Sequence, residues 1–187
     1  MAGATGKGAR RRADLAAAAA ALMLREGPGA LTHRRVAQEA GASVSATTYY
    51  FGTLDDLAAA AGTALARSWA SHARSARHAG QQVADDPRAA AALVAGAILP
   101  PGDDTDIRSH YEHLLGGGRH RALAEAFAAG RAEVDDAVQQ LVSLVGAPTS
   151  AEVTVALVDG AVVSALTEHR PVRATAQALL VAAWSRP

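Results

Sequence analysis

The stretch THRRVAQEAGASVSATTYYF, Thr32 to Phe51, constrains this chain more than any other. Its first half reads as a short helix that Thr32 can open, with the side-chain oxygen accepting from a backbone N–H. Gly41 closes it, since glycine takes the left-handed conformation without cost from a Cβ. Its second half, Val44 to Phe51, is β-branched and aromatic and reads as a strand by propensity alone. Nothing nearby offers that strand a partner. Half of the chain is apolar, only 4% is aromatic, and alanine, the best helix former, dominates. In such a chain the octet is predicted to be a second short helix with Ser43 as its cap. Packing rather than propensity would hold it. Two short helices across a glycine turn make a helix-turn-helix. Ala37, four residues before Gly41, leaves room for the partner helix, and Leu31, Val36, Ala40 and Phe51 supply the buried side.

The remaining punctuation predicts helices throughout. The first covers Arg10 to Arg25 and ends at Gly27-Pro28-Gly29, with residues 1–8 as a disordered Gly/Ala-rich tail. A long helix starts at Thr53 or Asp55, runs through Trp69 and fades near His78 to Gly80. Asp86-Pro87 opens another, which stops before Pro100. Further helices run from Asp103 or Asp104 to the glycines at 116–118, and from His120 to Val145. Thr149 and Glu152 have capping-box spacing for a helix to His169. Pro171 precedes the last, ending near Trp184. The expected class is all-α, with about nine helices. The expected division is a helix-turn-helix domain over residues 9–53 and a helical domain over 54–187.

Charge points to a partner. The formal net charge is zero, yet residues 1–53 hold seven Lys or Arg against three acids, and the remainder eleven against fifteen. A basic module on an acidic body suits a polyanion at one end. Ser45, Thr48, Tyr49 and Tyr50 offer hydroxyls to phosphates and base edges. Ala46 or a threonine methyl can meet a thymine methyl. Thr32, His33 and Arg34 stand at a helix start that favours phosphate.

Several classes of function are disfavoured. With no cysteine, disulfides and thiolate chemistry are absent, and a cytoplasmic setting fits. The apolar stretch Val153 to Leu166 falls short of the roughly 20 residues of a membrane span, and Asp159 interrupts it. Asp14 breaks the signal-peptide pattern near the start. No G-x-S-x-G motif occurs, and Gly116-Gly117-Gly118 lacks the lysine of a phosphate loop, so no enzyme is expected. His110, Glu112, His113 and His120 form the one metal-like cluster, but no third ligand has convincing spacing, and neither metal nor cofactor is expected.

The pattern T-x-x-x-V-A-x-E-A-G-x-S, followed by T-T-Y-Y-F and D-D-L, resembles the N-terminal domain of the TetR family of transcriptional regulators. It rests on Thr32, Val36, Ala37, Glu39, Ala40, Gly41, Ser43, Tyr49, Tyr50, Phe51 and Leu57. Thr32, His33, Arg34, Ser43, Ser45, Ala46, Thr48, Tyr49 and Tyr50 are then the expected DNA contacts. Ser45 and Thr47 replace the glycine and aliphatic residue of many relatives, and Leu54 stands where many carry a phosphate-binding lysine. The resemblance further implies a repressor that binds a pseudo-palindromic operator on double-stranded DNA as a homodimer and is released by a small-molecule effector. Val155, Val158, Asp159, Val162, Leu166, Leu179 and Leu180 are expected at the dimer interface, with Arg170 or Arg173 as a partner for Asp159. Trp69, His72, His110, Tyr111, Leu114, Phe127 and Arg131 are the candidate effector pocket. A dimeric helical adaptor or metal-binding protein without sequence-specific DNA binding is the alternative.

Overall fold

The computed structural model describes residues 2–185 and contains helices and turns alone among them. The helices are α1 (Ala2–Glu26), α2 (His33–Glu39), α3 (Val44–Tyr50), α4 (Leu54–Ser75), α5 (Arg77–Val83), α6 (Pro87–Ile98), α7 (Asp104–Gly117), α8 (Arg121–Leu144), α9 (Ala151–Thr167) and α10 (Val172–Trp184), with a 3-10 turn at Pro28–Ala30. The sequence places a single fading helix where the structure has α4 and α5, separated at Ala76. The helix α1 reaches back to Ala2, over residues expected to form a disordered tail; Met1 lies outside the described residues.

Most helix starts follow the sequence chemistry. Thr53 Oγ1 accepts from the Asp56 N–H at 3.1 Å, and the Asp56 carboxylate accepts from the Thr53 N–H at 3.0 Å. The same reciprocal box joins Asp103 and Asp106 at 3.0 Å each way. Asp86 accepts from the N–H groups of Arg88 and Ala89. At α9 the cap is Ser150, which accepts from the Val153 N–H, and not Thr149. Thr149 is engaged elsewhere: its Oγ1 meets Thr154 Oγ1 at 2.9 Å and accepts from Trp184 Nε1 at 2.9 Å.

The chain divides into two compact units. One holds the residues up to Ala66 together with Ser109–Arg131; the other holds Arg67–Arg108 and the residues from Ala132 on. In the first unit Leu15, Ala19, Leu22 and Met23 line the buried face of α1, and Phe51, Leu57 and Leu123 are fully enclosed. Small residues carry the α4–α8 crossing here: Cβ atoms built on Gly62 and Gly130 would lie 2.9 Å from Ala126 Cβ and 2.4 Å from Ala66 Cβ. In the second unit α10 packs on α9 and α6 around Val94, Val158, Val162, Ala176 and Leu180. No helix among the described residues is long and apolar enough to cross a membrane.

Candidate DNA-reading face

The turn between α2 and α3 is a glycine-closed helix end. Gly41 has φ +56°, its N–H bonds the Gln38 carbonyl at 3.2 Å, and the Ala42 N–H reaches back to the Ala37 carbonyl at 2.8 Å. That pair of bonds fixes the angle at which α3 leaves. A Cβ at position 41 would meet open space, so only the backbone conformation disfavours a side chain. Gly41→Ala is therefore expected to destabilise the protein by about 1 to 2 kcal/mol, read as a lower midpoint in urea with unchanged slope.

Buried Val36, Ala37, Thr47 and Phe51 hold α2 and α3 together. Thr47 Oγ1 donates to the Ser43 carbonyl at 3.3 Å, which explains how a hydroxyl stands in a core position. Salt bridges brace the base of the module. Arg25 pairs with Glu26 at 3.2 Å and Glu39 at 2.8 Å, and Arg35 pairs with Glu26. These bonds hold both carboxyls below their ordinary pKa, Glu26 chiefly through Arg35 and Glu39 chiefly through Arg25. Arg34 is exposed and forms no ion pair among the described residues.

The expected DNA contacts separate into two groups. Thr32 and Ser43 are caps: Thr32 Oγ1 accepts from the Arg35 N–H at 3.2 Å, and Ser43 Oγ accepts from the Ala46 N–H at 3.1 Å. Ser43 Oγ also bonds Ser45 Oγ at 3.0 Å. Their first duty is to set α2 and α3. His33 is half-buried, with Nδ1 enclosed and unbonded among the described residues. Ala46 and Tyr50 are likewise half-buried. Ser45, Thr48 and Tyr49 are exposed together on one side of α3, Tyr49 to 82%. Tyr50 meets Tyr49 edge-on at 5.1 Å between ring centroids. The sequence reading missed Val44, which is 46% exposed and shares this side at helical spacing with Ser45, Thr48 and Tyr49. Beside α3 runs the basic start of α1, where Arg12 lies 4.9 Å over the Phe51 ring and Lys7, Arg10 and Arg11 are exposed.

A capped, glycine-turned helix pair showing hydroxyls, an aromatic and free cations is a surface for a nucleic acid. The chain matches the pattern "Bacterial regulatory proteins, tetR family" over residues 15–61, and "Tetracyclin repressor-like, C-terminal domain" over residues 85–186. The chain belongs to the TetR family. It is a TetR-family DNA-binding regulator, and regulators of this family are non-enzymatic. Solved structures agree. The multidrug binding protein EbrR complexed with ethidium is 30% identical, with 94% of this chain and 99% of that chain covered and a TM-score of 0.63. A TetR-family member from Streptomyces coelicolor A3 is 28% identical, with 94% and 99% covered and a TM-score of 0.62. A TetR-family regulator from Rhodococcus sp., 23% identical with 94% and 96% covered and a TM-score of 0.62, shares the fold. No curated protein sequence matches the chain.

The other expected site residues of this TetR-family protein lie on α4 and on α7 to α10. Val155, Val158, Val162 and Leu180 are buried within the single chain. Asp159 and Leu166 are half-buried, and Leu179 is exposed. Arg170 pairs with Glu168, and Arg173 donates to the carbonyls of Pro100 and Gly102 at 2.7 and 2.9 Å. The outward side of α9 carries Val153, Ala156, Gly160 and Val163, with Val153 47% and Val163 52% exposed. A helix apolar all round hides which face is outward until its neighbours are known.

The effector candidates divide between the units. Trp69 and His72 belong to the second, where His72 Nε2 bonds the Gly96 carbonyl at 2.9 Å. His110, Tyr111, Leu114, Phe127 and Arg131 belong to the first. His110 is buried, and burial, aided by nearby His113, pushes its pKa down to about 4. It is therefore neutral at pH 7. Tyr111 lies beside it, ring centroids 6.0 Å apart. A cavity of about 300 Å³ in the second unit is lined by Arg74, Arg77, His78, Gln81 and Leu144, none of them a candidate from the sequence. The described residues hold no group of three or more potential metal ligands.

Proposed function

We propose that this TetR-family protein is a repressor acting in the cytoplasm, which binds a pseudo-palindromic operator as a homodimer and leaves it when a small molecule binds the C-terminal domain. The observation that carries this reading is the exposed side of α3. Ser45, Thr48 and Tyr49 stand clear of the module on a helix whose direction the Gly41 turn fixes. A helix of this kind enters the major groove and its partner copy enters the next, roughly 34 Å away. Arg34 and the basic start of α1 are the phosphate contacts. They supply the cationic groups that Leu54, half-exposed at the start of α4, cannot.

The effector class proposed is a small drug-like molecule of the kind seen in EbrR, bound with ethidium, proflavin or malachite green. A route for its signal is available within the first unit. His113 Nδ1 donates to the Leu24 carbonyl at the end of α1 at 2.6 Å, with Ser109 Oγ 3.5 Å from both. A displacement of α7 would reach the DNA-binding module through that bond. Release requires the effector to prefer the displaced geometry, typically by about 1 to 3 kcal/mol.

Fluorescence anisotropy on DNA from upstream of the protein's own gene, at two salt concentrations, tests the reading. Binding should weaken steeply with salt. Arg34→Ala should weaken binding to every sequence and reduce the salt slope by about one unit per subunit. An unchanged slope would remove Arg34 from the phosphate contacts.

A further inference from the structure

We propose that Val44 is a specificity-determining residue, which reads the C5 methyl group of a thymine in each operator half-site. The inference rests on the reading of α3 as the groove-entering helix and goes beyond it by assigning one side chain to one chemical group.

Three observations carry it. First, Val44 is 46% exposed, an isopropyl group left in water on a module that buries Leu15, Leu22 and Met23. Leu31 and Val36 of the same module are both buried. Second, Val44 is the first residue of α3, and the opening residues of a recognition helix are those that reach base edges. It shares a side with Ser45, Thr48 and Tyr49, at spacings of one, four and five residues. Third, two of the other apolar candidates on α3 are withdrawn. Ala46 is half-buried, and Thr47 is fully buried with its hydroxyl on the Ser43 carbonyl. Thr48 is exposed, but its hydroxyl donates to the carbonyls of Val44 and Ser45 at 3.2 and 3.1 Å, which fixes its rotamer.

The chemistry names the partner. A branched hydrocarbon offers no donor or acceptor, so it cannot read the polar pattern of guanine, cytosine or adenine. The major-groove edge of thymine carries a methyl group, and burying one apolar group against another is favourable there. Neighbouring hydroxyls would meanwhile hydrogen-bond the adjacent base edges or phosphates.

The test removes that methyl group alone. In an operator that the full-length protein binds specifically, each thymine pair related by the two-fold is replaced by deoxyuridine, and the dissociation constant is measured for the native protein and for Val44→Ala. At one position the native protein should lose about fourfold in affinity per half-site, while Val44→Ala loses less than twofold. Equal losses in both proteins would assign the methyl contact to another side chain, Thr48 first, and overturn the proposal. So would indifference of the native protein at every position. Failure to find any specifically bound operator would instead count against the repressor reading itself. Val44 is solvent-exposed and alanine favours helix, so the variant keeps its fold, checked by circular dichroism.

Discussion

Gly130→Val should destabilise the protein by about 3 kcal/mol or more. A Cβ on Gly130 would lie 2.4 Å from Ala66 Cβ. That partner is a methyl carbon fixed to the α4 backbone, so it cannot swing aside as the end of a long side chain would. The helices must separate, and close packing nearby transmits the strain. Gly130→Ala tests the sign of the smaller case. Alanine gains about 1 kcal/mol of helix propensity over glycine, yet the clash should exceed that gain and leave a net loss of about 1 to 2 kcal/mol. Combining it with Ala66→Gly returns the missing space and should recover most of the stability lost to the clash. Urea denaturation of the two single variants and the double variant measures this coupling. Additive losses would show that the crossing does not depend on this pair.

Val163→Asp should convert the proposed dimer to a folded monomer that no longer holds an operator. Val163 is 52% exposed on the outward side of α9, in line with Val153, Ala156 and Gly160. Its replacement costs the single subunit little. In a two-fold interface the same substitution places two carboxylates in an apolar contact. The penalty is several kcal/mol, enough to raise the dimer dissociation constant more than a hundredfold. Sedimentation at micromolar concentration should show monomers with unchanged far-ultraviolet dichroism. Val162→Asp provides the contrast, because Val162 is fully enclosed in its own unit and its loss should unfold the subunit. If Val163→Asp remains dimeric, this side of α9 is not the interface.

The sequence was most legible where a residue acts on its own neighbours. Thr32, Ser43, Asp86 and Asp103 all cap as their spacing suggests, because a cap is a contact within three residues. The strand-like octet could be read as α3 for the same reason: the Gly41 turn and the Ser43 cap are local, and they override β propensity. What depended on distant partners was hidden. The apolar pattern of α9 matches several outward faces, and only its packing on α10 and α6 turns Val155, Val158 and Val162 inward. The cap of α9 is Ser150 and not Thr149, whose hydroxyl accepts from Trp184, far along the chain. The contact of Gly62 and Ala66 with Ala126 and Gly130, which draws part of α4 and α8 into the first unit, joins residues far apart in the chain. Val44 went unnoticed because valine reads as core until its exposure is known. The cavity at Arg74 and Arg77 brings together three helices that no local pattern connects.

The most direct measurement is selection of duplexes from a random-sequence DNA pool by the purified full-length protein, followed by sequencing of what is retained. The expected result is a single enriched motif with two-fold symmetry, its half-sites one helical turn or a multiple of it apart, and lost with Val163→Asp. Retention without any enriched symmetric motif would contradict the reading of this chain as a dimeric, operator-specific repressor.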